Sequence, residues 1–323
     1  MEHTVYIASR TEAGGIIVCR LSDDGKITAV SSAAADRPAY LCRDGSTLYA
    51  LLREPFQLMS GLAAYRINSD SSLSPAGAPE STHGLYSAHI YARNGNVWCA
   101  NYIDGTVLKM PDRLVAFGGC GPDRSRQLSS HPHCITPSPD GKYLCITDLG
   151  TDRIHVMTGN LEPVSEAALP AGSGPRHLVF SHDGRYAFSS NEMGCSVSVM
   201  RYSDGVLVPE YSVPTVPEDS RSGASASAIR LSGDGKHLYV SNRGHNSIAV
   251  FSVEDGKLSL DGFIPSFGDS PRDFALVGEY LICGNELSDN VTVFSLRDGI
   301  PQSPVDEISI PMPWCILPAD SHA

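Results

Sequence analysis

An arginine, a histidine and a glutamate lie at the two ends of residues 176–192, a stretch that otherwise consists of strand-forming residues around an Asp-Gly turn. Arg176 and His177 begin this stretch, and Glu192 ends it. Guanidinium groups can bind an oxyanion, and an imidazole or a carboxylate can accept a proton from water. These residue types therefore suit acid–base chemistry on a small molecule that carries or develops negative charge.

Segments similar to this one recur along the chain every 43 to 51 residues. Each contains an apolar strand, a turn that usually contains Asp-Gly or Asn-Gly, and a second strand, which is typical of a tight β-hairpin. The six copies are residues 37–54, 87–102, 131–150, 174–192, 225–244 and 270–287, and a third strand follows four of them at residues 152–156, 195–199, 246–251 and 289–294. Blades of four strands fit this spacing.

The two ends of the chain supply the parts of a seventh unit. Residues 312–319 resemble a first strand, whereas residues 4–10 and 15–21 resemble a second and a third strand without a first. Leaving these segments apart would expose two sheet edges. We therefore predict an all-β fold, a seven-bladed β-propeller formed by one domain of residues 1–323, with its ring closed by pairing of the N-terminal strands with the C-terminal strand.

This topology predicts which residues converge at one mouth of the channel. The first strand of each blade begins, and the second ends, on the same face, where loops on a rigid scaffold commonly carry function. The positions after the second strands hold Arg10, Arg53, Tyr102, Leu149 with Asp148 beside it, Glu192, Arg243 and Glu286. Those before the first strands hold Tyr40, His89, His133, Arg176, Arg272 and Trp314. Although the protein has a net charge of −12, arginines gathered at the mouth would form a local positive region. Such a region attracts an anionic small molecule.

Composition excludes several other partners. The acidic net charge argues against nucleic acid, and no apolar run approaches the roughly 18 residues of a membrane helix. The N-terminal residues MEHTVYIASR lack the pattern of a signal peptide, so we predict a cytoplasmic protein. Nine cysteines without a CxxC pair, mostly in apolar runs, indicate buried apolar residues rather than disulfides. The sequence leaves the oligomeric state open.

Established catalytic and cofactor motifs are absent from the sequence. It contains no GxSxG elbow, no Walker loop and no GxGxxG. His131 and His133 form an HxH pair, but Pro132 separates them, and no His or Cys elsewhere in that copy completes a zinc set. We therefore predict neither a metal nor a cofactor.

The runs HPHCITPSPDGKYLCITDLGTDRI, GPRHLVFSHDGRYAFSSNE, YVSNRGHNSIAVF and SPRDFAL resemble the lactonase family of seven-bladed propellers, which includes propeller-type 6-phosphogluconolactonase and carboxymuconate cycloisomerase. The resemblance extends from TVYIAS to the closing PWC. It implies a cleft in which a histidine, a glutamate and arginines act on a lactone. On matching positions these are His133, Glu192, Arg176 and Arg243. Residues 119–131 are polar and arginine-rich, unlike the short loop expected from the family, which leaves the substrate undetermined.

With this resemblance, the residues predict hydrolysis of a sugar lactone, 6-phosphogluconolactone to 6-phosphogluconate. His133 or Glu192 would be the general base, while Arg176 and Arg243 would bind the oxyanion or the anionic substrate. Predicted substrate-binding residues are His89, Arg53, Asp148, His177, Arg272 and Glu286. Two alternatives stay open: a cycloisomerase of the carboxymuconate-lactonizing type, and a non-catalytic propeller scaffold, which would expose apolar patches on its rim.

Overall fold

β-Strands dominate the computed structural model, which describes residues 2–12, 14–56 and 58–320. One short 3-10 helix, at Glu218–Ser220, interrupts the strands of this described part. Backbone contacts group the chain into two compact units, one made of the residues up to Val97 together with those from Pro265 onward, and the other of Trp98–Ile264. None of the helical structure seen in these ranges is long and apolar enough to cross a membrane.

The first unit contains three complete sheets. One is formed by β1 (His3–Ser9), β2 (Gly15–Leu21), β3 (Ile27–Ala33) and β29 (Pro313–Pro318), in the order β29-β1-β2-β3. The second contains β4 (Pro38–Asp44), β5 (Thr47–Phe56), β6 (Met59–Ile67) and β7 (Leu73–Pro75), and β8 (Glu80–Leu85) also pairs with β6. The third contains β25 (Pro271–Val277), β26 (Tyr280–Asn285), β27 (Asn290–Arg297) and β28 (Ile300–Ser309) in sequence order.

A fourth sheet, β9 (Ser87–Arg93), β10 (Asn96–Asn101), β11 (Thr106–Lys109) and β12 (Arg113–Ala116), contains the boundary between the units, within β10. The second unit adds three sheets, each in sequence order. Their strands are β13 (Pro132–Pro137), β14 (Tyr143–Asp148), β15 (Arg153–Thr158) and β16 (Pro163–Ala168); β17 (Pro175–Phe180), β18 (Tyr186–Asn191), β19 (Ser196–Ser203) and β20 (Val206–Pro214); and β21 (Ser225–Leu231), β22 (His237–Arg243), β23 (Ser247–Glu254) and β24 (Lys257–Pro265). These seven sheets confirm the predicted seven-bladed β-propeller.

The predicted pairing of the two chain ends is confirmed. β1 pairs antiparallel with β29, with Ile7 opposite Ile316 and Ala8 opposite Cys315. All four side chains are buried, so this pairing protects the edge of β1 and buries apolar surface at the same time. The N-terminal strands and the C-terminal strand therefore form one blade.

The hairpin turns between first and second strands share one hydrogen-bond pattern in three blades. Ser138 Oγ donates to Asp140 Oδ1 at 2.6 Å, and the same carboxylate accepts from the main-chain N–H of Lys142. Ser181 with Asp183 and Ser232 with Asp234 repeat this pattern. Gly141 follows with φ +69°, a conformation that strongly favours glycine. The Asp-Gly pairs thus form turns, as the sequence predicted.

Apolar side chains of neighbouring blades pack together between the sheets. In the second unit, Phe188 and Val199 belong to the same cluster as Val240 and Phe251 of the next blade. The five cysteines predicted to be small buried residues are indeed buried and free: Cys19, Cys99, Cys145, Cys283 and Cys315. Such packing holds the strand ends rigidly, which matters for the side chains that they carry.

Candidate active site

A β-bulge after a proline sets the first side chain of several inner strands. The register of β13 shifts at His133, that of β17 at Arg176 and that of β25 at Arg272. The same shift occurs at Trp314 in β29 and at Ala39 in β4. A bulge leaves one residue outside the regular pairing and redirects its side chain. The bulge residues of four of these strands, His133, Arg176, Arg272 and Trp314, carry polar or aromatic groups, whereas that of β4 is Ala39.

In the second unit, the carboxylate of Glu192 lies among three guanidinium groups. Oε1 is 2.6 Å from Arg126 Nη2, and Oε2 is 2.8 Å from Arg243 Nη2 and 3.2 Å from Arg176 Nε. Only the contact with Arg126 also has hydrogen-bond geometry, so the other two are ion pairs by distance. Glu192 and Arg176 are buried, whereas the side chain of Arg126 is 46% exposed. We call these four residues the Glu192 cluster.

Arg126 was not among the predicted site residues. It lies in the polar loop between β12 and β13, the segment that departs from the family pattern, and its side chain also contacts Tyr102. The loop has no counterpart in the other blades, so the repeat could not show where it folds. The signal present in the sequence was the loop's unusual arginine content.

The arginines determine the protonation state of Glu192. Burial is the largest influence and by itself raises the pKa, but the positive charges of Arg243 and Arg176, then His133 and Arg126, outweigh it. The net result is a pKa well below the usual range of a glutamate. Glu192 is therefore a carboxylate at all physiological pH values.

Replacing this carboxylate tests its place in the folded protein. Near pH 7, Glu192→Gln is expected to lower the free energy of unfolding by about 3–5 kcal/mol, since removing one partner of a buried pair leaves uncompensated charge. Because the folded-state pKa is lowered, this stabilisation is present above the unfolded-state pKa of about 4.3 and is lost as pH falls below it. Urea unfolding of both proteins from pH 7 to pH 3 should show the difference shrinking at the acid end.

Glu210→Gln is the matched control, because Glu210 pairs with Arg201 on an exposed surface of the same unit. An exposed pair contributes about 0–1 kcal/mol, so this variant should unfold nearly as the unmodified protein does. Equal losses in both variants, or a Glu192→Gln loss that does not change with pH, would contradict the charge assignment.

Two histidines lie beside this cluster. The rings of His133 and His177 have centroids 5.4 Å apart, and Arg176 Nη1 lies 2.9 Å from His177 Nε2. Since a guanidinium has only donors, Nε2 of His177 must accept, which makes His177 a neutral imidazole with its proton on Nδ1. Both histidines are buried. The structure thus brings together His133, His177, Arg176 and Glu192, as the sequence predicted for this face.

His131, the other histidine of the HxH pair, has a different environment. His131 Nδ1 lies 2.7 Å from the main-chain oxygen of Tyr102, and the two rings stack with centroids 4.5 Å apart. In the residues described above, no group of three or more His, Cys, Asp or Glu side chains is placed to hold a metal ion. His131 thus orients the Tyr102 segment.

Asp148 is fully buried at the end of β14. Its carboxylate accepts hydrogen bonds from Ser130 Oγ at 2.7 Å and from the main-chain N–H groups of His131 and Gly150, and it lies 3.4 Å from His155 Nε2. These contacts fix the residues just before β13 and just after β14. Direct contact between Asp148 and a substrate stays a prediction.

The other predicted binding residues belong to the first unit. Arg272 Nη1, on β25, donates to Oε2 of Glu286, the residue after β26, at 3.2 Å. This contact repeats the arginine–glutamate pairing of Arg176 with Glu192. Arg53 donates to a main-chain carbonyl at 3.0 Å. The predicted substrate contacts of these residues stay predictions.

The blade of β4 requires one correction. The position equivalent to His133 and Arg176 is Ala39, the residue in the bulge, and not Tyr40 as the repeat alignment had it. The same bulge occurs in all these strands, and the residue that follows the proline, as His133 follows Pro132, is Ala39. Tyr40 instead packs against His89, with ring centroids 4.2 Å apart and His89 buried.

Comparison with known proteins agrees with this arrangement. The family model described as "Lactonase, 7-bladed beta-propeller" matches residues 4–318, nearly the whole chain. The chain belongs to this lactonase family. An uncharacterized protein of Staphylococcus epidermidis is 35% identical over 320 residues, which cover 91% of this chain and 93% of that protein. The family membership predicted from the sequence is confirmed.

Two further similar proteins have descriptive names. A 6-phosphogluconolactonase of Formosa agariphila is 32% identical over 282 residues, covering 79% of each protein. The solved structure of a periplasmic gluconolactonase of Pseudomonas aeruginosa matches with a TM-score of 0.88 and 25% identity, over 98% of this chain and 99% of that one. Both names concern the opening of a sugar lactone.

Proposed function

We propose that this protein hydrolyses a sugar lactone, 6-phosphogluconolactone to 6-phosphogluconate, at the Glu192 cluster. The observation that carries the proposal is the buried Glu192 carboxylate held by three guanidinium groups next to His133. Membership of the lactonase family and the name of the relative from Formosa agariphila support it. The reaction belongs to carbohydrate metabolism, in the pentose phosphate pathway.

The sequence left His133 and Glu192 as candidates for the general base, and the positive charges around Glu192 favour His133. A carboxylate that three arginines stabilise in its ionised form has little tendency to take up a proton from water. An imidazole normally titrates near neutral pH, which suits a base that must accept and return a proton. Glu192 then holds the arginines in place.

The hydrolysis proceeds by addition and elimination. His133 removes a proton from water as the water oxygen bonds to the lactone carbonyl carbon, and the carbonyl oxygen becomes an oxyanion. Arg243 and Arg176 stabilise this negative charge. The tetrahedral intermediate collapses, the bond between the carbonyl carbon and the ring oxygen breaks, and the protonated His133 returns its proton to the ring oxygen. The product is the open-chain hydroxy acid, and His133 is neutral again.

The charge of the cluster indicates an anionic substrate. Three arginines against one glutamate leave an excess of two positive charges in a protein whose net charge is −12. Arg126 is the most exposed of the three arginines, so it is the one that can meet the phosphate of an incoming substrate.

Acid release measured at constant pH tests the proposal. The unmodified protein should open 6-phosphogluconolactone well above the spontaneous rate and should open the unphosphorylated gluconolactone with a higher KM. A carboxymuconate, followed by its conjugated absorbance, should be unchanged. Rates at the spontaneous level for both lactones would refute lactone hydrolysis, and turnover of the muconate alone would instead identify a cycloisomerase.

A cytoplasmic location is part of the same proposal. An odd number of cysteines, all nine of them free, fits a reducing compartment. Cell fractionation with compartment markers tests this, and recovery of the protein with the periplasmic markers would overturn it.

A further inference from the structure

A second arginine cluster in the first unit surrounds a tryptophan. The guanidinium carbon of Arg272 is 3.5 Å from the centroid of the Trp314 ring, that of Arg10 is 4.0 Å away, and that of Arg53 is 5.2 Å away. We call Arg10, Arg53, Arg272 and Trp314 the Trp314 cluster. Cation–π contact is a favourable way to hold one guanidinium, but three like charges around one ring repel one another.

Rigid strands hold these side chains. Trp314 and Arg272 occupy the bulges of β29 and β25, and Arg53 lies within β5. Arg10 directly follows β1, and its main-chain N–H donates to the carbonyl of Met312 at 3.0 Å. The cluster is therefore built before any ligand arrives, which limits the entropy lost on binding.

Acidic side chains neutralise only part of this charge. Glu286 pairs with Arg272, and Arg53 donates to the neutral carbonyl of Ser87. The next carboxylate, Glu54, already lies 3.7 Å from Arg37 Nη1. Three arginines against the ion-paired Glu286 leave two positive charges, which Glu54 offsets in part through its attraction for Arg53.

The electrostatic strain is largest at Arg53. The pKa of Arg53 is lowered to about 10. Burial is the main cause, and the positive charge of Arg10 is the next. Arg53 is still protonated near pH 7. A negative group bound among these arginines would offset both the cost of burying their charges and the repulsion between them.

Several donors of the cluster are buried. In the described part of the chain, no acceptor is within hydrogen-bond reach of Arg10 Nε, Arg53 Nε or Trp314 Nε1. Trp314 itself is only 7% exposed. Buried polar groups nearly always have hydrogen-bond partners, so three such donors in one cluster point to a ligand that accepts.

We propose that the Trp314 cluster binds a doubly charged oxyanion, the phosphate group of a small molecule. A dianion matches the two uncompensated charges, whereas a single carboxylate would leave one of them. Guanidinium groups bind phosphate through paired N–H donors, and an indole N–H adds one more. The inference rests in part on the proposed function, because Arg53 and Arg272 are also predicted substrate-binding residues. No residue of this cluster belongs to the Glu192 cluster, so phosphate binding can be measured apart from lactone hydrolysis.

The indole N–H of Trp314 provides a direct probe. The protein has two tryptophans, so a ¹⁵N-tryptophan sample gives two indole signals, which Trp98→Phe assigns. Titration with inorganic phosphate near pH 8 should shift the Trp314 signal with saturation. The Trp98 signal should not move, because Trp98 Nε1 already donates to the carbonyl of Gly159. Acetate and chloride at equal ionic strength should produce weaker shifts.

Arg10→Gln should weaken phosphate binding by roughly 10-fold or more, as expected for loss of one charge-assisted contact. Arg53→Lys keeps the positive charge but loses the planar, forked guanidinium, so it should weaken phosphate binding less. Arg66→Gln is the control, because Arg66 is exposed in the same unit. Lactone hydrolysis is measured in parallel, so failure of one proposal is distinguished from failure of the other.

Three outcomes would overturn the inference: no saturable shift of the Trp314 signal, an equal response to chloride, or unchanged binding in both Arg10→Gln and Arg53→Lys. If Arg10→Gln does not fold, Arg53→Lys alone decides between binding and a purely structural arginine–tryptophan stack.

Discussion

Replacing His133 by alanine is expected to lower kcat for lactone hydrolysis by roughly 10²- to 10⁴-fold, the usual contribution of a positioned general base. The reason is the division of roles in the Glu192 cluster. Glu192 is held in its ionised form by Arg243 and Arg176, so no carboxylate there can replace the missing imidazole as proton acceptor. Initial rates of acid release, corrected for spontaneous opening, measure the effect.

Two additional measurements separate a base from a structural residue. Imidazole added to the buffer should restore part of the activity of His133→Ala, because it can enter the space left by the ring and accept the proton. His237→Ala is the control, since His237 is a partly exposed histidine of the same unit, on β22. An unchanged kcat in His133→Ala, or an equal loss in His237→Ala, would show that His133 is not the base.

Replacing Arg243 by lysine is expected to lower kcat by roughly 10²- to 10³-fold, the range measured when one donor to an oxyanion is removed. Lysine keeps the charge near Glu192 but lacks the planar fork. In the described residues, Nε and Nη2 of Arg243 are buried without a hydrogen-bond acceptor, although Nη2 lies 2.8 Å from Glu192. Nε is thus the atom available to an oxyanion that forms only during the reaction, because Nη2 is paired with Glu192.

The distribution of the effect between kcat and KM decides the role of Arg243. A contact made mainly in the transition state lowers kcat and leaves KM nearly constant, whereas a contact with the substrate raises KM. Arg201→Gln is the control, because Arg201 forms an exposed pair with Glu210. A change in KM alone would assign Arg243 to substrate binding, and loss of activity in Arg201→Gln would indicate a general effect on the fold.

Repetition made the fold predictable. Asp-Gly turns such as Asp140-Gly141 recur with the same hydrogen bonds, and each copy contributes one hairpin. The closing blade followed from the need to pair β1, and Ile7 opposite Ile316 confirms it. The extra strand β8 was not predicted, because no other copy contains an equivalent segment.

The site was predictable where it depended on the repeat. His133 and Arg176 each follow a proline at the start of an inner strand, and Glu192 directly follows β18, the strand that pairs with β17. Tyr40 was placed where Ala39 lies, although alignment on Pro38 would have given Ala39.

Residues outside the repeat could not be placed. Arg126 reaches Glu192 from a loop that has no counterpart, and its partner is 66 residues away in sequence. The choice between His133 and Glu192 as base also needed the structure, because it depends on how many guanidinium groups contact the carboxylate.

The central claim is that the Glu192 cluster hydrolyses a sugar lactone, and the rate of 6-phosphogluconolactone opening by the double variant His133→Ala with Arg243→Lys tests it most directly. The account predicts that the unmodified protein accelerates opening and that the folded double variant gives only the spontaneous rate. A double variant as active as the unmodified protein, or an unmodified protein without activity, would contradict it.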